Sequence, residues 1–263
     1  MHTVLAATAA LLACAFAMLT LERYLARGRR HELMWTIALT MFALGSLCLW
    51  LGAAIGWSEW TFKGFYLFGA ILNVPFLALG TVYLLAGRRV GDQSAAVVSL
   101  LAAFAAGIVV ATPLVGVISP GVLPQGSDVF GPGPRIAAGL GSGIAALVII
   151  GGAVWSAVHL LLGRRRSAAA APSALPAGRL AAANLLIAAG TLVLSAGGLL
   201  NSVVDQMNAF AISLVVGIAV IFAGFLLTMT GTPARPPARA SLGPATADPL
   251  TDDHEAAPRA QPA

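Results

Sequence analysis

Met34–Gly56 reads MWTIALTMFALGSLCLWLGAAIG: twenty-three residues without one Asp, Glu, Lys or Arg. A helix of about 20 residues at 1.5 Å each crosses the roughly 30 Å hydrocarbon core of a bilayer. A continuous apolar run of that length belongs in lipid. Working outward, six further windows share the property: Thr3–Leu21, Gly64–Gly87, Ser94–Val117, Ile136–Leu162, Leu180–Leu200 and Asn208–Thr230. All 25 charged residues of the 263 lie outside the seven windows, as expected when a charge at mid-span costs about 2.5 kcal/mol or more. Composition agrees: 59% of residues are hydrophobic and 10% charged, against roughly 25% charged in a soluble domain, which excludes a soluble enzyme. The expected fold class is all-α, an integral membrane bundle of seven transmembrane helices over residues 1–230, followed by a tail over residues 231–263.

Arginine placement sets the expected orientation. Thirteen of the fifteen basic residues follow windows one, three, five and seven, among them Arg23, Arg27, Arg29, Arg30, Arg88 and Arg89; only Lys63 and Arg135 fall on the other side. The positive-inside rule then puts the N-terminus outside and the C-terminus in the cytoplasm. The net charge of +5 reflects this sidedness and attraction to anionic lipid, so no nucleic-acid partner is implied. A signal peptide would carry its positive charge before the apolar run, whereas here Arg23–Arg30 comes after it. Cys14 and Cys48 fall within windows and read as small packing residues rather than a disulfide or metal pair.

The segment from Ile118 to Arg135 holds Pro120, Pro124, Pro132 and Pro134 and reads as an ordered or semi-ordered external loop. Trp57 and Trp60, with Tyr66 a little deeper, are placed as an interfacial aromatic belt. The tail, TPARPPARASLGPATADPLTDDHEAAPRAQPA, lacks the apolar content to offset its ordering entropy and is expected to be disordered. Matched positions at an offset near 145, Gly45 with Gly190, Leu49 with Leu194, Gly52 with Gly197 and Gly80 with Gly224, suggest a parallel repeat of three helices, one linker helix and three more.

Chemistry is defined by what is missing. His31-Glu32-Leu33-Met34-Trp35 begins like the zinc-protease HExxH, but Trp35 takes the second histidine position. Ser142 and His159 are seventeen residues apart on one helix, about 25 Å, beyond any nucleophile–base contact. His159 itself lies within reach of the cytoplasmic interface. The only lysine, Lys63, lies before the third window, which excludes a retinal Schiff base in the last span. No catalytic residue, metal ligand or cofactor site is assigned. Asn73-Val74-Pro75 is the best candidate element: Pro75 cannot donate to the carbonyl of Ile71 and bends the helix, and Asn73, near mid-membrane, needs a partner. Thr81, Asn184 and Ser195, with Tyr83 and Thr191, extend a candidate polar path. Gly52 with Gly56, Gly139 with Gly143, Gly190 with Gly197 and Gly217 with Gly224 read as packing seams first and dimer contacts second.

The stretch Trp35–Arg89, with Gly56-Trp57 before the outer turn and Tyr-Leu-Phe-Gly-Ala-Ile-Leu-Asn-Val-Pro at Tyr66–Pro75, resembles a segment of uncharacterised multi-pass membrane proteins of actinobacteria. That resemblance covers about a fifth of the chain and implies a bacterial cytoplasmic membrane but no activity. Two classes remain open: a non-catalytic membrane component, a sensor or assembly subunit with a membrane-protein partner or a second copy, and a facilitator for a small neutral or lipophilic solute. A facilitator should have a cavity lined by Asn73, Thr81, Asn184 and Ser195; a packing component should have those groups bonded within the bundle. Asn73→Ala is expected to do more harm than Ser142→Ala.

Overall fold

The computed structural model describes residues 2–116, 118, 123–163, 177–203 and 207–229. Every regular element among them is helical: α1 (His2–Arg27), α2 (Arg30–Ile55), α3 (Glu59–Gly64), a π-helical stretch (Phe65–Leu72), α4 (Asn73–Ala111), α5 (Gly126–Val129), α6 (Pro132–Gly163), α7 (Ala177–Val203) and α8 (Met207–Met229). Five stretches are long and apolar enough to cross a membrane by length and composition: Thr3–Arg27, Arg30–Ile55, Glu59–Ala111, Pro132–Ser156 and Phe210–Leu227. The described side chains of α7 add a shorter apolar run, Leu185–Gly197. The tail, residues 231–263, lies outside the described residues.

Glu59–Ala111 is 53 residues long, about 80 Å if straight, far more than one bilayer crossing. Gly87 breaks it with φ 81° and ψ −176°, a backbone that side-chain-bearing residues rarely adopt. Beyond that break the chain folds back. Lys63 Nζ donates to the carbonyl of Val110 at 3.0 Å, although 47 residues of continuous helix would hold the two about 70 Å apart. The stretch is therefore an antiparallel pair, a first arm before Gly87 and a second arm from Arg88 to Ala111. A second left-handed glycine, Gly28 (φ 64°), ends α1 with its N–H on the Tyr24 carbonyl at 2.7 Å.

The helices close into a ring: α1 packs on α2, α2 on the π-helical stretch and α4, α4 on α6, α6 on α7, α7 on α8, and α8 returns to α1. Two apolar clusters stack along it. Leu49, Trp57, Phe62, Phe65, Phe130 and Phe210 fill one end; Phe16, Leu39, Phe42, Ile218, Ile221 and Phe225 fill the arginine-bearing end. The second arm is peripheral, burying Ala105 and Val109 while Val97, Leu100, Leu101 and Phe104 face outward. α6 presents a full outward stripe, including Ile136, Leu140, Ile144 and Leu147. Such outward apolar faces are costly in water and ordinary in lipid.

The aromatic belt needs correction. Trp60 is 68% exposed, as a belt residue should be, but Trp57 is 6% exposed. Its indole lies on Gly52, where a Cβ would come within 2.5 Å of the ring, and meets the edges of Phe62 and Phe65. Chain reversal after Gly56 turns this side chain inward, so the tryptophan is core. The loop beyond the second arm also does more than connect. Leu123, Val129 and Phe130 are 2–3% exposed, Val115 N–H donates to the Val129 carbonyl at 2.9 Å, and Phe130 stacks on Phe62. These residues plug one end of the bundle.

Candidate functional site

At the Asn73-Val74-Pro75 break, the eight residues before Asn73 adopt the wider π turn, a common device where a proline interrupts the α ladder. In α register Pro75 would leave the Ile71 carbonyl without a donor; in the five-residue register the deprived carbonyl is that of Ala70. Ser142 of α6 donates its hydroxyl to the Ala70 carbonyl, and the neighbouring Gly141 faces Ile71 and Pro75, with room for a Cβ at 3.9 Å from each. A neighbouring helix thus satisfies the freed backbone group, as a membrane interior demands. Asn73 itself is 8% exposed, and its Oδ1 is buried without a hydrogen-bond partner. The structural expectation therefore reverses the ranking read from sequence. Ser142→Ala should cost about 1 kcal/mol, while Asn73→Leu, which deletes an unpaired acceptor, should be near neutral or stabilising. Paired melting curves in one detergent check this; a larger loss for Asn73→Leu would refute it.

The other candidate residues do not gather around Asn73. Thr81 and Thr191 donate back to their own helices, to Leu77 at 3.4 Å and Ile187 at 2.8 Å. Tyr83 donates to Asp92 at 2.8 Å, at the Gly87 turn. Ser195 is half-buried on α7, and the side chain of Asn184 lies outside the described ones. A cavity of about 70 Å³ sits in the ring, with Phe16, Trp35, Leu77, Ile149, Ile187 and Phe225 on its wall, one from each of the six ring helices. Of Asn73, Thr81 and Ser195, only Thr81 lines it.

Sequence reasoning missed the two most elaborate polar sites. At the arginine-bearing end, Arg23 Nε donates to Glu32 Oε1 at 3.1 Å, and its guanidinium lies over the Phe225 ring at 4.9 Å. Glu32 is fully buried, with Oε2 lacking a partner. One turn deeper, Thr20 donates to the Ala17 carbonyl at 2.9 Å, which leaves its oxygen to accept from Thr36 at 3.0 Å. A second network joins α2 to the Gly87 turn: Arg30 pairs with Asp92, and Arg88 lies 3.7 Å from it. The Tyr83 hydrogen bond, with Arg30 and Arg88 beside it, holds the Asp92 carboxyl below the usual carboxylate range. His31 lies half-buried against the Trp35 ring, centroids 5.2 Å apart.

At the other end, Lys63 has a side chain 6% exposed, bound to Glu59 at 2.8 Å and to the Val110 carbonyl. A cation on the last turn of a helix satisfies a free carbonyl and complements the dipole. Lys63→Met is expected to cost about 1–2 kcal/mol, read as a lowered melting temperature, with Lys63→Arg recovering part of it. Equal stability of Lys63→Met and the parent would remove this role.

His159 is exposed beside Trp155, and no group of three or more His, Cys, Asp or Glu among the described residues is placed to hold a metal ion. Cys14 is exposed and Cys48 half-buried, both free thiols. Comparison with protein-family models, curated proteins and solved structures gave no match.

Proposed function

We propose that this chain is a seven-span protein of a bacterial cell membrane, N-terminus outside and C-terminus cytoplasmic, acting as a non-catalytic sensor or assembly subunit. Counting the two arms around Gly87 separately supports seven spans, and the arginines grouped at one end support the orientation. The ring order supports the three-one-three repeat. With the second arm set aside as linker, the contacts between halves are α1 with α8 and α4 with α6, and a two-fold exchange of halves turns one into the other. The observation that supports the non-catalytic reading is the destination of three intramembrane hydroxyls: Ser142, Thr81 and Thr191 each donate to a backbone carbonyl within the bundle, Asn73 Oδ1 being the unpartnered exception.

Cysteine labelling from each side, with purification from native membrane, tests the reading. Opposite-sided termini and a stoichiometric membrane-protein partner or second copy would support it; same-sided termini, or solute flux in proteoliposomes by the isolated protein, would replace it. The facilitator reading is favoured by one observation, a cavity to which both halves contribute.

A further inference from the structure

We infer that the ring cavity is a binding site for a small, uncharged, apolar molecule. The inference deepens the sensor reading and rests on it for the membrane setting. Its chemistry follows from the wall. Aromatic and branched aliphatic side chains from all six ring helices surround the space, and the two hydroxyls that reach it, Thr81 and Ser156, are both engaged elsewhere. A buried water makes about three hydrogen bonds, and this wall offers it only the two hydroxyl oxygens, so the space favours an apolar occupant over water. At about 70 Å³ it is roughly half the size of an engineered apolar cavity of about 150 Å³ that takes benzene or xenon. A xenon atom or a hydrocarbon of a few carbons matches it; a sugar, an ion or an amino acid does not.

The space exists because the wall mixes extremes of size. Trp35 packs on Gly80, where a Cβ would fall 2.2 Å from the indole, while α6 sets the small Gly152 and Ala153 between Ile149 and Ser156. Gly152 lets α6 close on Thr81 and Leu85, since a Cβ there would meet them at 2.8 and 2.9 Å. The Phe225 ring beneath Arg23 forms part of its wall, and the Phe62, Phe130 and Val129 cluster packs the far end of the bundle. Leu84 and Leu85, 50% and 43% exposed, leave the lateral approach between the first arm and α6, so the solute arrives from lipid. An apolar solute crosses a bilayer unaided. A protein cavity that retains one therefore suits detection better than transport.

The test uses the full-length protein in lipid nanodiscs, isoleucine δ1-methyl NMR and xenon as the probe. Ile149, Ile187 and Ile221 line the cavity, whereas Ile136, Ile144 and Ile212 are 49–61% exposed on the outer surface and report xenon dissolved in lipid. Expected are shifts that saturate with xenon pressure at the first three methyls and grow linearly at the other three. Ala153→Ile, which fills the space, should raise the half-saturation pressure at least tenfold. Thr81→Val, which keeps the shape and removes a hydroxyl, should leave it within twofold. Linear shifts at all six methyls, or a tenfold loss on Thr81→Val, would overturn the proposal even if Ala153→Ile failed to fold. Failure of the sensor reading is registered separately, by the labelling and co-purification above.

Discussion

Arg23→Leu should be the most damaging single charge removal, lowering stability by about 3–5 kcal/mol. The reason is asymmetry within the pair. Glu32 has no exposure and already carries one unpartnered oxygen, whereas the Arg23 side chain is 18% exposed. Removing the arginine strands a carboxylate where water cannot reach it. Removing the glutamate leaves a guanidinium on a long stem that can extend toward the membrane surface, so Glu32→Leu should cost about 1–2 kcal/mol. The double replacement should recover most of the Arg23→Leu loss, because an apolar pair of similar volume is often as stable as a buried ion pair. Melting temperatures of the four proteins in one detergent form the cycle. Additive losses, or a Glu32→Leu cost matching that of Arg23→Leu, would show that the pair is not coupled as drawn.

Why the helices were legible in the sequence and this pair was not is a matter of scale. Hydrocarbon burial acts over twenty residues at once, so a charge-free window such as Met34–Gly56 announces itself whatever its partners. Glu32 lies two residues before that window and reads as polar flank; its burial depends on Arg23, nine positions away around the Gly28 turn. A signal was present all the same: Glu32, Thr36, Leu39 and Ala43 fall on one helical face, and all are buried. Lys63 is similar, since its acceptor, Val110, is reached only because Gly87 folds the chain back. Pro75 marked a bend from sequence alone, but which carbonyl it deprives depends on the π register, and only the packing of α6 places Ser142 to meet it. Long-range geometry of this kind has no local sequence trace.

Gly45→Leu should be about as disruptive as the loss of Arg23, through packing rather than charge, and it also tests the repeat. Helix α2 crosses the π-helical stretch where a Cβ on Gly45 would lie 2.8 Å from the backbone of Gly69. Backbone cannot rotate away as a side-chain tip can, so the helices must separate, and the cost should exceed the 1–3 kcal/mol usual for overpacking. Its counterpart at the 145-residue offset, Gly190, meets the carbonyl of Gly217 at 2.7 Å and Ile221 at 2.5 Å. Gly190→Leu should fail in the same way. Gly139 and Gly143, read from sequence as the same kind of seam, have nothing within 4 Å of a built Cβ, because they sit on the outward stripe of α6. Gly139→Leu should therefore leave the monomer's melting temperature unchanged or raised, helix propensity favouring leucine by a few tenths of a kcal/mol or more. Equal losses at Gly45 and Gly139 would mean that glycine spacing, not the close crossings seen here, governs the bundle. A loss at Gly45 without one at Gly190 would count against the proposed repeat.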